Sequence, residues 1–208
     1  MEVKALPLGP IGTNCYIIHN EGNALIIDPG GNPEKVMALM EDLILTPKAI
    51  LLTHAHFDHI GAVQELREKY QIDVYLHSEE KNWLQDASLN GSLGLMGQEI
   101  TTYEAENELQ EGDTEMYGFT FEIRHTPGHS PGSVSFVFHD QSIVISGDVL
   151  FKQGIGRTDL TGGDINVLEN SIRNKLYNLS DGYTVFPGHG PETTIGFEKQ
   201  QNPFFPDH

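Results

Sequence analysis

Ala49-Ile50-Leu51-Leu52-Thr53-His54-Ala55-His56-Phe57-Asp58-His59-Ile60-Gly61 is the stretch whose reading decides the fold. Its first five residues form an apolar run that reads as a buried strand. Directly behind it, His54, His56, Asp58 and His59 place four metal-binding side chains within six residues. A strand end followed by a helix start lets the intervening loop curl around an ion and present alternate residues to it. A single histidine is ordinarily a surface or hydrogen-bonded core residue. Four such ligands behind one strand, with Gly61 where the helix must pass close to something, point to a metal site.

Three more positions complete the set, each after a predicted strand and each among glycines that permit close backbone approach. They are His129 in Thr126-Pro127-Gly128-His129-Ser130, Asp148 in Ser146-Gly147-Asp148, and His189 in Phe186-Pro187-Gly188-His189-Gly190-Pro191. Five histidines and two aspartates are about the number two ions need when a carboxylate and a water bridge them. His19, His77, His139 and His208 lack this context, and His125 stands only four residues before His129.

Around these positions strands and helices alternate. Strands are predicted at Val3–Leu6, Asn14–His19, Ala24–Asp28, Ala49–Thr53, Val74–His77, Phe119–His125, Ser133–His139, Ser142–Ser146 and Tyr183–Phe186. Helices are predicted over 33–44, opening on Pro33, over 59–70 with Ile60, Val63, Leu66 and Tyr70 on one face, and over 165–178. Asp86 to Glu111 is turn-rich and without period, and reads as a long connection of the kind that is a binding loop, a lid or disordered. The order of elements suggests two similar halves meeting near residue 118, each a mixed sheet covered by helices, within one domain over 1–208.

Composition narrows the function. The chain of 208 residues carries a formal charge of −18, which repels phosphate backbones and anionic membranes and argues against nucleic acid as partner. No apolar run approaches the roughly 20 residues needed to span a bilayer, and Met1 to Pro7 lacks the features of a secretory signal, so the expectation is a cytoplasmic protein. Cys15, the only cysteine, excludes an intramolecular disulfide and reads as a small buried hydrophobe of a strand.

His54-Ala55-His56-Phe57-Asp58-His59 followed by His129, Asp148 and His189 resembles the metallo-β-lactamase superfamily in order and kind, over nearly the whole chain. The resemblance implies an α+β fold, a four-layer αβ/βα sandwich of two mixed β-sheets flanked by helices, with the site at one edge between the sheets. It implies that His54, His56 and His129 hold a first divalent ion, that Asp58, His59 and His189 hold a second, and that Asp148 bridges them. Asp58 would also orient the attacking hydroxide, and Asp28 matches a position that supports the histidine loop. Zinc is the expected metal, although His and Asp ligands also accept iron and manganese.

Within the superfamily, Gly154-Ile155-Gly156-Arg157-Thr158-Asp159-Leu160 and the ending from Thr194-Ile195-Gly196-Phe197-Glu198-Lys199 to Asn202-Pro203-Phe204-Phe205 are similar to small glyoxalase II-like proteins. That implies hydrolysis of a small-molecule thioester, S-lactoylglutathione or a relative. One departure is plain: glyoxalase II carries a C-terminal helical extension that grips glutathione, and this chain ends about 20 residues after His189. Arg157 is expected either to bind a substrate carboxylate or to hold its own loop through Asp159 or Asp164. The alternative function is a mononuclear Fe(II) persulfide dioxygenase, which shares the fold, the ligand types and a Gly-Arg-Thr-Asp segment.

Overall fold

The computed structural model describes residues 1–207, so His208 lies outside the described residues. The chain divides into two compact units, one of residues 1–109 with 116–119, the other of 110–115 with 120 onward.

The first unit holds a six-stranded mixed sheet with strands in sequence order: β1 (Glu2–Leu8), β2 (Thr13–Asn20), β3 (Asn23–Ile27), β4 (Thr46–Leu51), β5 (Asp73–His77) and β6 (Asn107–Leu109). The first three pair antiparallel through tight turns, and β3 to β6 run parallel. Parallel neighbours need crossovers. α1 (Pro33–Asp42) links β3 to β4; α2 (Phe57–Ile60) and α3 (Val63–Tyr70) link β4 to β5. Val36 and Met40 of α1, Val63 and Leu66 of α3, and Ile17, Ile26, Ile50 and Val74 of the sheet form one buried cluster. The metal-binding stretch therefore starts at the carboxyl end of a central parallel strand, where ligands bind in open α/β sheets.

The second unit holds β7 (Gly112–Met116), β8 (Phe119–His125), β9 (Val134–Phe138), β10 (Ile143–Gly147), β13 (Thr184–Pro187) and β14 (Thr193–Thr194), ordered β14-β13-β10-β9-β8-β7. A separate small hairpin pairs β11 (Leu150–Phe151) with β12 (Gly154–Ile155). Only β10 and β13 are parallel among the pairings described, and α5 (Ile165–Ser171) lies in the crossover between them. Leu168, Ile172 and Leu176 pack with Val137, Val144, Val185 and Ile195, the last on α6 (Ile195–Gln201).

Most predicted strands differ from the observed ones by one or two residues, but several expectations need correcting. The helix predicted over 59–70 is broken at Gly61 and Ala62, because Ala62 donates its amide to the Pro29 carbonyl and a Cβ at Gly61 would stand 2.5 Å from the Gly30 carbonyl oxygen. The helix over 165–178 turns into a π-helical turn at Ile172–Leu176. The stretch 86–111 is not a featureless loop, since it carries α4 (Ser92–Met96) and β6; both are too short to show a period.

The helix predicted to reach residue 44 stops at Asp42, and Ile44 adopts φ 54° with its side chain 86% exposed. A left-handed conformation costs a β-branched residue about 1–2 kcal/mol, and this side chain recovers little by burial. Ile44→Gly is expected to stabilise the protein by about 1 kcal/mol. A rise in Tm of about 2–4 °C checks it.

Candidate metal centre

In the first unit, His54, His56, Asp58 and His59 are all buried. His54 and His56 each offer a ligand atom within 4.8 Å of the other, as do His54 and His59, and Asp58 and His59. The rings of His54 and His56 meet edge to face at 4.7 Å between centroids, and those of His54 and His59 lie 4.1 Å apart.

Asp28 sets their orientation. It is 1% exposed at the end of β3, with φ 51°, a left-handed conformation that Asp tolerates. Its Oδ1 accepts from the Thr53 amide at 2.8 Å, and its Oδ2 accepts from the Thr53 hydroxyl at 2.6 Å. The same Oδ2 stands 2.9 Å from His59 Nδ1. The Thr53 hydroxyl hydrogen is engaged by Asp28, so its oxygen accepts from His54 Nδ1 at 3.1 Å. The Thr53 oxygen favours the proton of His54 on Nδ1 and the Asp28 carboxylate favours that of His59 there, which leaves Nε2 of each ring as the candidate ligand atom. Thr13, likewise buried, donates its hydroxyl to Asp58 Oδ2 at 2.8 Å. Cys15 lies inside β2, and burial, reinforced by Asp28, raises its thiol pKa well above the ordinary value, as expected of a packing residue rather than a nucleophile.

Close backbone packing holds the loop itself. A Cβ on Gly30 would overlap the Asp58 carbonyl oxygen, so only glycine lets the two chains touch there. The amide of Ala55, between His54 and His56, donates to Glu80 Oε2 at 2.6 Å. Glu80 is wholly buried and comes from the 3₁₀ turn after β5. Glu80→Ala withdraws that acceptor from a buried amide, and metal affinity is expected to fall about 10–100-fold, measured by competition with a chelator. Wild-type affinity in a folded Glu80→Ala protein would refute the role.

The second unit repeats the logic. His129 follows Gly128, whose φ of 127° no other residue adopts easily and whose missing side chain leaves room for the backbone of Leu168. His129 Nδ1 lies 2.8 Å from the Arg157 carbonyl, which can only accept, so Nε2 is again the ligand atom. Asp148 follows β10 and His189 follows β13, and the Gly188 amide bonds to the Gly147 carbonyl at 2.8 Å. Asp148 Oδ2 stands 3.6 Å from His129 Nε2 and 3.5 Å from His189 Nε2. A Cβ on Gly156 would overlap the Asp148 carbonyl oxygen and come within 3.1 Å of His129 Cβ.

The structure thus gathers four of the predicted ligands in one unit and three in the other. Arg157 forms a two-pronged ion pair with Asp159, at 2.7 and 2.8 Å, which holds the Asp159 carboxyl down to about 2. Asp164 instead caps α5. His125 bonds to the Pro131 carbonyl at 2.8 Å and His139 to Tyr183 and Glu122, so both serve local structure. Thr13, Thr53 and Glu80 escaped the sequence reading, because nothing local marks a threonine or glutamate that meets the motif only after folding.

The donor set fits divalent ions. Asp58 Oδ2 and His59 Nε2 are 3.4 Å apart, and the two Asp148 distances are alike: all exceed a hydrogen bond. Ligand atoms sharing a tetrahedral ion at bonds of about 2.1 Å are separated by about 3.4 Å.

Comparison with known proteins agrees. Residues 8–189 match the Metallo-beta-lactamase superfamily. The Bacillus subtilis protein named Probable metallo-hydrolase YqgX is 53% identical over 206 residues, 98% of this chain and 97% of the relative. Hydroxyacylglutathione hydrolase GloC of Haemophilus influenzae is 39% identical over 98% of both chains. Among solved structures, BLEG-1 B3 metallo-beta-lactamase superposes with a TM-score of 0.96 at 51% identity, covering 98% of this chain and 99% of that one. TTHA1623 in a di-iron-bound form gives 0.89 at 41% identity, covering 98% and 100%. The chain belongs to the metallo-β-lactamase superfamily and has its fold.

Proposed function

We propose that residues 1–208 act as one catalytic domain, a binuclear metal-dependent thioesterase of the glyoxalase II type that cleaves S-lactoylglutathione or a related thiol ester. His54, His56 and His129 are assigned to one ion, Asp58, His59 and His189 to the other, and Asp148 to both. The observation that carries this reading is the recurrence, in each unit, of nitrogen and oxygen donors 3.4–3.6 Å apart with the distal ring nitrogens already anchored. The identity with Hydroxyacylglutathione hydrolase GloC supports the thioester class.

Two divalent ions held by these residues would supply Lewis acidity, enough to make water nucleophilic near neutral pH and to polarise the scissile carbonyl. Asp58, steadied by Thr13, orients the attacking water through its carboxylate. Asp28, through His59 and Thr53, keeps the histidines in the tautomer that binds metal. A thiol leaving group has an ordinary pKa of about 8.5 and departs as thiolate, so the residues need supply no strong general acid. An amine leaving group lacks that advantage. β-Lactam hydrolysis is nevertheless the second reading, because of the 51% identity with BLEG-1.

The test is metal counting on anaerobically purified protein, followed by assays on lactoylglutathione, thioesters of other small thiols and a chromogenic cephalosporin. Two ions per chain, zinc or iron, and oxygen-independent thioester cleavage are expected. One iron per chain with oxygen consumed on glutathione persulfide would overturn the proposal in favour of the dioxygenase, and faster turnover of the cephalosporin in favour of the lactamase.

A further inference from the structure

Beside the metal motif, one wholly buried side chain fixes the segment predicted as a loop. Asn90 Nδ2 donates to the carbonyls of Trp83 at 3.2 Å and Ile100 at 2.8 Å, and its Oδ1 accepts from the Ser92 amide at 3.0 Å. Its own carbonyl accepts from the amide of Phe57 at 3.0 Å, and Phe57 lies inside the metal-binding stretch. The segment 83–100 is thereby closed on itself and tied to the motif through backbone.

What it presents is apolar. Leu93, Leu95 and Met96 of α4 are 46%, 49% and 36% exposed. Gly91 lies beside both Leu95 and Phe57, since a Cβ there would stand 3.6 Å from Leu95 Cδ1 and 3.9 Å from Phe57 Cδ1. Three large apolar side chains, each at least 36% exposed, thus fall within four residues, more apolar surface than a lone exposed side chain leaves. Its charge limits the occupant. From Asn82 to Ile100 there is no Lys, Arg or His, whereas Asp86 and Glu99 are acidic. Such a surface takes up an apolar group and repels an anionic one.

We propose that Leu93, Leu95 and Met96 form an acyl-chain subsite continuous with the metal motif through Phe57, so that the favoured thiol ester carries an uncharged aliphatic acyl chain of several carbons. This rests on the thioesterase reading and names the substrate class within it.

The experiment uses metal-loaded full-length protein and thioesters of N-acetylcysteamine, an uncharged thiol, with acetyl, butanoyl, hexanoyl, octanoyl and ω-carboxylated adipoyl groups. kcat/KM is expected to rise about threefold per methylene as the chain is buried, with adipoyl below butanoyl. Leu95→Ser with Met96→Ser flattens the series, while Ile44→Gly, another exposed apolar side chain, leaves its slope intact. A parallel arm measures calorimetric binding of the matching S-alkyl thioethers, which cannot be hydrolysed.

Acetyl thioester cleavage with a flat series in both arms overturns the subsite and leaves the thioesterase standing. Thioether binding that strengthens with chain length, without cleavage of any thioester, sinks the thioesterase and upholds an apolar site. Dissociation of a dimer by the double substitution, with the chain-length slope unchanged, assigns the surface to a second copy and overturns the proposal.

Discussion

Asp28→Ala is expected to leave no folded protein at 37 °C. The carboxylate meets three donors, the amide and hydroxyl of Thr53 and Nδ1 of His59, in surroundings where Asp28 is 1% exposed and His59 fully buried. Each buried donor deprived of its acceptor costs about 1–3 kcal/mol. Three approach the whole stability of an ordinary domain, about 5–15 kcal/mol. Asp28→Asn separates structure from metal binding. Its oxygen can still accept from the Thr53 amide, but its amide group cannot accept from His59. That variant is expected to fold and to lose metal affinity about 10–100-fold. Thermal melts by circular dichroism and chelator competition read the two effects separately. Wild-type affinity in Asp28→Asn would reduce Asp28 to a turn residue.

Gly30→Ala and Gly156→Ala are expected to act in parallel, one in each unit. Neither glycine has positive φ, so alanine meets no backbone strain and the effect is purely one of space. In both, the added carbon overlaps the carbonyl oxygen of a proposed metal aspartate, Asp58 or Asp148. Backbone cannot swing aside as a flexible side chain does. The aspartate must therefore move, and displacements of an ångström at such a site cost about 100-fold in rate. Both variants should lose at least that in thioester turnover and bind fewer than two ions. Gly182→Ala, where an added Cβ meets nothing within 4 Å, is the steric control. Full metal loading in Gly156→Ala would show that the Asp148 turn can relax.

How much of this could be read from residues alone follows from range. Ala49 to Leu51 announced their strand, and the ligands behind it stand in a fixed local relation to its end. Gly61 was legible as a close approach, although not that it breaks a helix, because its partner Gly30 lies 31 positions earlier. Asp28 could be placed at a strand end. Its bond to His59 depends on the parallel pairing of β3 with β4, which local patterns do not specify. Glu80 and Asn90 are further cases: both are polar, wholly buried, and meaningful only through what they bond across the fold. Two-residue strands such as β11, β12 and β14 have no period to detect.

The anchored ring nitrogens of His54, His59 and His129 also bear on timing. Freezing side-chain torsions costs entropy whenever it happens, and here hydrogen bonds to Thr53 and Arg157 and the close approach of Asp28 do it while the chain folds. An arriving ion then meets rings already aimed. Uptake would then be a matter of shedding water molecules rather than of ordering a loop.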